Sequence, residues 1–257
     1  MKSLILLTLI FSTALSSIAS AGLKIYYIRH AEGGHNVKKA WEEKGILQSE
    51  WPSYVGNPDQ FTPKGLKEVV TATEKLQKYD FDFVASSPLW RARNTVLPYL
   101  KATKKKGEVW PELREGFGMQ VILDEGFPEV KEDILNKGAP IELPKEETEF
   151  FGLRDDGKNN YAKYPRDSDN DVKAAYMKKV SLHAIDLIEK RFGGSNKSIL
   201  IAGHNSSGVS LLKLLLKEAP TGEARRGLDN IAIWMVEQQE DGSYELKMYN
   251  DKPYVKE

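Results

Sequence analysis

Three short apolar runs, each breaking off into polar residues and then into a helical stretch, limit this chain to one class of fold. Leu23 to Ile28 (LKIYYI) stops at Arg29-His30, Phe81 to Ala85 stops at Ser86-Ser87-Pro88, and Ser198 to Ala202 (SILIA) stops at Gly203-His204. Each run has the length of a strand, and the first and third are apolar enough to be buried on both faces. Strands that alternate with helices argue for an α/β fold, a three-layer sandwich whose mostly parallel central sheet is covered by helices on both faces. Ligands of such sheets bind beyond the carboxyl ends of the strands. His30 and His204 each follow a strand at once, and Arg91 begins the helix after another, so the topology predicts that three remote segments meet at one sheet edge.

The intervening residues read consistently with this. Asn36 to Lys44 has a helical pattern, and Trp51 to Phe61, with Pro52, Gly56 and Pro58, reads as loop. Thr62-Pro63 is an N-cap followed by proline at the first helical position, and the helix should run to about Tyr79. The helix opened by Ser86-Ser87-Pro88 should end or kink at Pro98. Apolar residues recur at helical spacing from Val172 to Phe192, Gly193-Gly194 ends that run, and Ser206 is expected to cap a further helix to about Lys217. Ile231 to Val236 and Tyr244 to Tyr249 read as two closing strands joined by the Asp241-Gly242 turn. Between about Gly116 and Asp171 the signals weaken; residues 118–171 are expected to form an inserted cap, a partly structured excursion over the surface.

Residues 1–21 are set apart from the fold. Lys2, the apolar run from Leu4 to about Leu15 and the small residues ending Ala19-Ser20-Ala21 have the form of a secretory signal peptide cut after Ala21. The apolar run is shorter than the roughly 20 residues that span a bilayer. Removing 21 of the 257 residues leaves 236, so residues 22–257 suit one large domain or two small ones. The expected location is secreted or periplasmic, with no stable membrane association after cleavage. The 37 basic residues balance the 37 acidic ones, which argues against a nucleic-acid partner. The chain has no cysteine, which excludes a disulfide framework, a thiolate nucleophile and a Cys-ligated zinc.

Histidines and arginines at one sheet edge are the donor set of phosphoryl chemistry. That reaction asks for an in-line nucleophile and for cations around the equatorial oxygens. Neutral imidazole is abundant near pH 7 because its ordinary pKa is about 6.5. Guanidinium makes two parallel charge-assisted hydrogen bonds to an oxyanion. A carboxylic acid is also needed, to protonate the leaving oxygen.

The run Arg29-His30-Ala31-Glu32-Gly33-Gly34-His35-Asn36 resembles R-H-G-x-x-x-x-N of the histidine phosphatase superfamily, the phosphoglycerate mutase-like family. Four further stretches resemble its motifs in family order. Thr62-Pro63-Lys64-Gly65 is similar to L-T-x-x-G, with Phe61 for Leu, and Ser87-Pro88-Leu89-Trp90-Arg91-Ala92-Arg93-Asn94-Thr95 to S-P-L-x-R-A-x-x-T. Leu113-Arg114-Glu115 is similar to L-x-E, and Ile201-Ala202-Gly203-His204 to the strand and turn before the second histidine. The resemblance spans most of the chain but leaves out about Gly118 to Asp171. It implies that His30 attacks phosphorus and becomes phosphohistidine, that Arg29 and Arg91 clamp the phosphoryl oxygens, and that His204 donates to them. Asn36 would add a neutral hydrogen bond, and Glu115 would be the acid and then the base. Ala31 departs from the family glycine, which asks only for ordinary backbone angles. Gly33, where the acid phosphatase branch has a second arginine, and Asn205 after His204 both point to the phosphoglycerate mutase-like branch 1.

Rivals remain open at this stage: Arg93 for Arg91, Glu112 or Glu32 for Glu115, and a helix-capping role for Asn36. His35, in a glycine loop beside the site, is expected as an exposed loop histidine, with contact to substrate as the alternative, and His183 as a surface or packing residue. Asp155-Asp156 and Asp167, Asp169 and Asp171 lack the glycine and glutamate of an EF-hand loop, and no H-E-x-x-H or P-loop pattern occurs. No metal and no cofactor is therefore expected. The expected function is an exported phosphomonoesterase acting on a small phosphorylated substrate. The alternatives are a phosphoglycerate-type phosphomutase, which returns the group to a sugar acid, and a noncatalytic phosphate- or phosphoprotein-binding domain.

Overall fold

In the computed structural model, which describes residues 22–116, 120–121, 123, 129–164 and 169–256, every apolar run read as a strand is one. The first strand is β1, Lys24–Arg29, followed by helix α1, Gly34–Glu42. Helix α2 (Pro63–Leu76) leads to β2 (Phe83–Ser86), α3 (Trp90–Thr103) and the three-residue strands β3 (Gly107–Val109) and β4 (Phe151–Leu153). Helix α4 (Asn170–Phe192), β5 (Ser198–Gly203) and α5 (Asn205–Leu216) follow, then β6 (Ile233–Gln238), β7 (Tyr244–Tyr249) and β8 (Lys252–Pro253). The described strands form one sheet in the order β4-β3-β2-β5-β1-β6-β7-β8. From β4 to β1 all neighbours run parallel, whereas β6, β7 and β8 continue the sheet antiparallel.

Alternation along the central strands explains the three layers. Ile25 and Tyr27 of β1 and Ile199 and Ile201 of β5 face a core shared with Ile188 of α4 and Leu212 of α5. Tyr26, Ile28, Leu200 and Ala202 face the opposite core, shared with Leu76 of α2 and Leu100 of α3. Each strand is thus apolar on both sides because each side carries a helix layer. Thr62 caps α2 as expected, its hydroxyl accepting from Gly65 N at 2.9 Å, and Asp169 caps α4 in the same way through Val172 N at 3.0 Å.

Four expectations change. Helix α3 does not stop at Pro98 but runs on to Thr103. The N-cap position of α5 belongs to His204, not Ser206. Strand β3 falls in a stretch for which no strand was expected. The segment read as a surface cap supplies β4, whose Phe151 is buried where it pairs with β3. The expected signal segment lies outside the described residues, and no described helix is long and apolar enough to cross a membrane.

Candidate active site

Four adjacent parallel strands each deliver side chains to one edge. The β1–β5 register sets Arg29 opposite Gly203, and His30 N continues the ladder to Gly203 O at 3.0 Å, so His30 and His204 emerge side by side. Their ring centroids lie 5.1 Å apart. Next to β5, Ser87 N bonds Ala202 O at 2.8 Å and leads one turn later to Arg91. Trp110 N bonds Ser86 O at 2.9 Å, and the short turn after it carries Glu115 to the same edge.

The hydrogen bonds of His30 assign its proton. Nδ1 lies 2.7 Å from Ala31 O, an atom that only accepts, so Nδ1 carries the hydrogen and Nε2 keeps its lone pair. Arg91 Nε donates to that Nε2 at 3.3 Å. Burial first, and then Arg91 and Arg29, hold the His30 pKa well below the usual value, against the opposing bond to Ala31 O. The ring is therefore neutral near pH 7, with the in-plane lone pair of Nε2 turned toward Arg91.

His204 is fully buried, and burial, His30 and Arg91 hold its pKa down as well. Its Nε2 lies 2.8 Å from Ser87 Oγ, which also accepts from Leu89 N at 3.2 Å. With that lone pair engaged, Ser87 can give its own proton to Nε2, and the ring proton then sits on Nδ1. Nδ1 has no hydrogen-bond partner and lies 3.7 Å from Glu115 Oε2. Tyr27 fixes the turn: its hydroxyl accepts from His204 N at 2.7 Å and lies 3.0 Å from both His204 O and Ser207 Oγ. Its ring fills the space that side chains would need at two glycines of the G-H-N-S-S-G run. A Cβ on Gly203 would come within 2.0 Å of the Tyr27 hydroxyl, and one on Gly208 within 2.4 Å of the ring.

The open rivalries resolve on contacts. Arg91 Nη2 reaches Glu115 Oε2 at 2.9 Å, whereas Arg93 turns away to Glu147 and Pro88 O. Glu112 is buried against Arg154 and His183, and Glu32 is engaged by Thr62 Oγ1 and Lys64. Glu115 alone of the three carboxylates therefore stands beside Arg91 and His204. His183 packs on Glu112, away from this edge. Arg29 donates through Nη1 to Leu228 O, while its buried Nε has no partner. Asn36 is exposed and its Oδ1 accepts from Gly33 N at 2.9 Å, so its oxygen caps α1 and only its amide NH2 end is left for an anion.

His35 departs from expectation. Its ring is half-buried with its centroid 5.4 Å from that of His30, not a solvated loop residue. Ser87, Thr95, Asn230 and Tyr27 were not singled out as site residues. Thr95 Oγ1 accepts from Ala31 N at 2.9 Å, and Asn230 Nδ2 donates to His30 O at 2.8 Å, so both hold the backbone of His30 and Ala31. Ser87 and Thr95 stand at the ends of the second motif, which was the available signal; Asn230 and Tyr27 carry none in a single sequence. Ala31 is fully buried, which its small side chain allows, and keeps the negative φ expected of a residue with a Cβ.

The sequence profile of the histidine phosphatase superfamily (branch 1) matches residues 25–252. No curated relative matches the sequence. Among solved structures, the chain is similar to a phosphoserine phosphatase variant from Entamoeba histolytica in complex with phosphoserine. That match has 21% identity and a TM-score of 0.51, covering 89% of this chain and 96% of that one. The α-ribazole phosphatase from Shigella flexneri matches with 18% identity and a TM-score of 0.53, covering 91% and 100%. A mycobacterial glucosyl-3-phosphoglycerate phosphatase matches with 18% identity and a TM-score of 0.51, covering 88% and 98%. At these identities the structures share the fold. By the profile that covers most of its length, the chain belongs to the histidine phosphatase superfamily, branch 1.

Proposed function

We propose that this chain is an exported, metal-independent phosphomonoesterase that works through a phosphohistidine on His30. The observation that carries the reading is a convergence of unsatisfied donors on one nucleophile. Five buried side-chain nitrogen or oxygen atoms have no partner among the described residues, and two of them, Arg29 Nε and His204 Nδ1, are donors in the surroundings of His30. Buried donors are costly to leave unmade, about 1–3 kcal/mol each, so their clustering favours an oxyanion that all of them serve.

In the first step the lone pair on His30 Nε2 attacks phosphorus in line, the ester P–O bond breaks, and a protonated Glu115 gives its proton to the leaving oxygen. In the second, the Glu115 carboxylate takes a proton from water, the water oxygen bonds phosphorus, and the P–N bond breaks with its electrons returning to Nε2. Arg29, Arg91 and His204 hold the equatorial oxygens throughout. The segment 118–171 is the candidate for choosing the leaving group, since Glu147 ties it to Arg93 of α3 and Arg154 ties it to Glu112. The residues that support export are Lys2, the apolar run and Ala19-Ser20-Ala21.

The purified protein is expected to hydrolyse an aryl phosphate at an unchanged rate in the presence of a chelator. Acid-labile phosphate should be trapped on His30 when turnover is quenched in base. Dependence on an added divalent ion, or label on any other residue, would overturn the reading.

Glu115→Gln should separate substrates by leaving group. Alkyl phosphates need protonation and should slow roughly 10²–10⁴-fold, whereas aryl phosphates should slow less than about 10-fold. Equal losses in kcat on the two classes would remove Glu115 from the acid role.

A further inference from the structure

One polar group beside His30 has no task in the two-step reaction. His35 opens α1, and its ring centroid stands 5.4 Å from that of His30, against 5.1 Å for His204. The two imidazoles thus stand at comparable distances from the ring proposed to carry the phosphoryl group. The imidazole makes no hydrogen bond to any described residue, and its Nδ1 is buried. Burial first, then Arg91 and Arg29, push its pKa down to about 4, so near pH 7 the ring is neutral and carries a single N–H. The ring's Nδ1–Cε1 edge lies over Gly33, where a Cβ would come within 2.9 Å of Nδ1, so the loop leaves room for the ring in this position. Packing alone does not call for an imidazole here, since an apolar ring would fill the same space without a nitrogen left unpartnered.

We propose that His35 is a third imidazole of the oxyanion pocket, donating its ring N–H to an oxygen of the phosphoryl group that His30 accepts. The inference rests on the phosphohistidine reading for the identity of the bound group. A neutral donor adds a directional hydrogen bond beside two guanidinium groups without a further charge to desolvate.

His35→Phe keeps a ring of similar size and removes both nitrogens, whereas His35→Gln restores an amide donor. With an aryl phosphate as substrate and orthovanadate as inhibitor, the Phe variant should lose roughly 10- to 100-fold in kcat/KM. The vanadate inhibition constant should rise by a similar factor, and the Gln variant should recover part of both. Values within twofold of wild type in the Phe variant would overturn the proposal. A second measurement needs no variant: in the wild-type protein the ring 15N resonances of His35 should shift when orthovanadate saturates the site. Unmoved resonances at saturation would also overturn it. The two readings fail separately. Wild-type turnover with a silent Phe variant removes only the role of His35. A wild-type protein that binds vanadate and shifts His35 but turns nothing over removes only the hydrolase.

Discussion

Replacing His30 with alanine should abolish turnover, on the order of 10⁴-fold or more, and leave the fold standing. The imidazole is the group proposed to attack phosphorus, and the chain has no cysteine to substitute for it. Its structural bonds are few: Nδ1 to Ala31 O at 2.7 Å and the bond from Arg91 Nε to Nε2. The backbone stays pinned by Gly203 O and by Asn230, so the melting temperature should move by no more than about 5 °C. Retention of a tenth of the activity would remove His30 as nucleophile.

The same substitution should change how stability responds to acid. Burial, Arg91 and Arg29 hold the native pKa of His30 well below its unfolded value of about 6.5. Between those two values the unfolded chain binds a proton that the native chain refuses, so native stability falls as pH drops below about 6.5. Denaturant midpoints taken from pH 7 to pH 5 should therefore decline less steeply in His30→Ala than in wild type. His204, held down by the same burial, keeps part of the slope in both proteins.

The largest effect on stability should come from Arg154→Met, in a cluster that holds none of the residues assigned to the reaction. Arg154 Nη1 donates to both oxygens of Glu112, at 3.0 and 2.9 Å, its Nε donates to Asp156 and its Nη2 to Lys158 O. Both Glu112 and Arg154 are buried. Burial alone would raise the Glu112 pKa, but His183 and Arg154 outweigh it and hold the carboxyl below its usual value. Without Arg154 a buried carboxylate keeps only His183, a loss of about 3–5 kcal/mol. That corresponds to a fall in melting temperature on the order of 10 °C, read by circular dichroism. The double variant Glu112→Leu, Arg154→Met should recover much of it, because an apolar pair leaves no orphaned charge. A single variant that melts like wild type would show that the cluster contributes nothing net.

The central strands and the helices between them were legible because local and tertiary preferences agree there. Strands β1 and β5 are apolar on both faces and end abruptly at histidine. Strands β3 and β4 were not legible, because three residues give no periodicity and only their pairing, Gly107 to Val109 against Phe151 to Leu153, makes them a ladder. Pro98 misled for a quantitative reason. A proline inside a helix costs about 3 kcal/mol. Around it Val96, Leu97, Tyr99 and Leu100 are buried, and each large apolar side chain returns about 1.5–3 kcal/mol. The meeting of Arg91, Glu115, His30 and His204 at one sheet edge was recoverable from order along the chain. The commitment of Asn36 Oδ1 to Gly33 and the inward turn of His35 depend on how the loop folds, which spacing does not record.

The position of β5 in the sheet has a consequence for synthesis. This strand lies between β1 and β2, yet it is made long after both, and Tyr27 waits for a partner 177 residues downstream in His204. Until Ser198–Gly203 emerges, β1 and β2 each keep an unpaired edge that no neighbour in the finished sheet other than β5 can close. A ribosome-bound or C-terminally truncated chain that stops short of it would be catalytically silent and prone to stick to others through those open edges. Late closure of this kind ties both the finished sheet and the edge that gathers His30 and His204 to completion of this one strand.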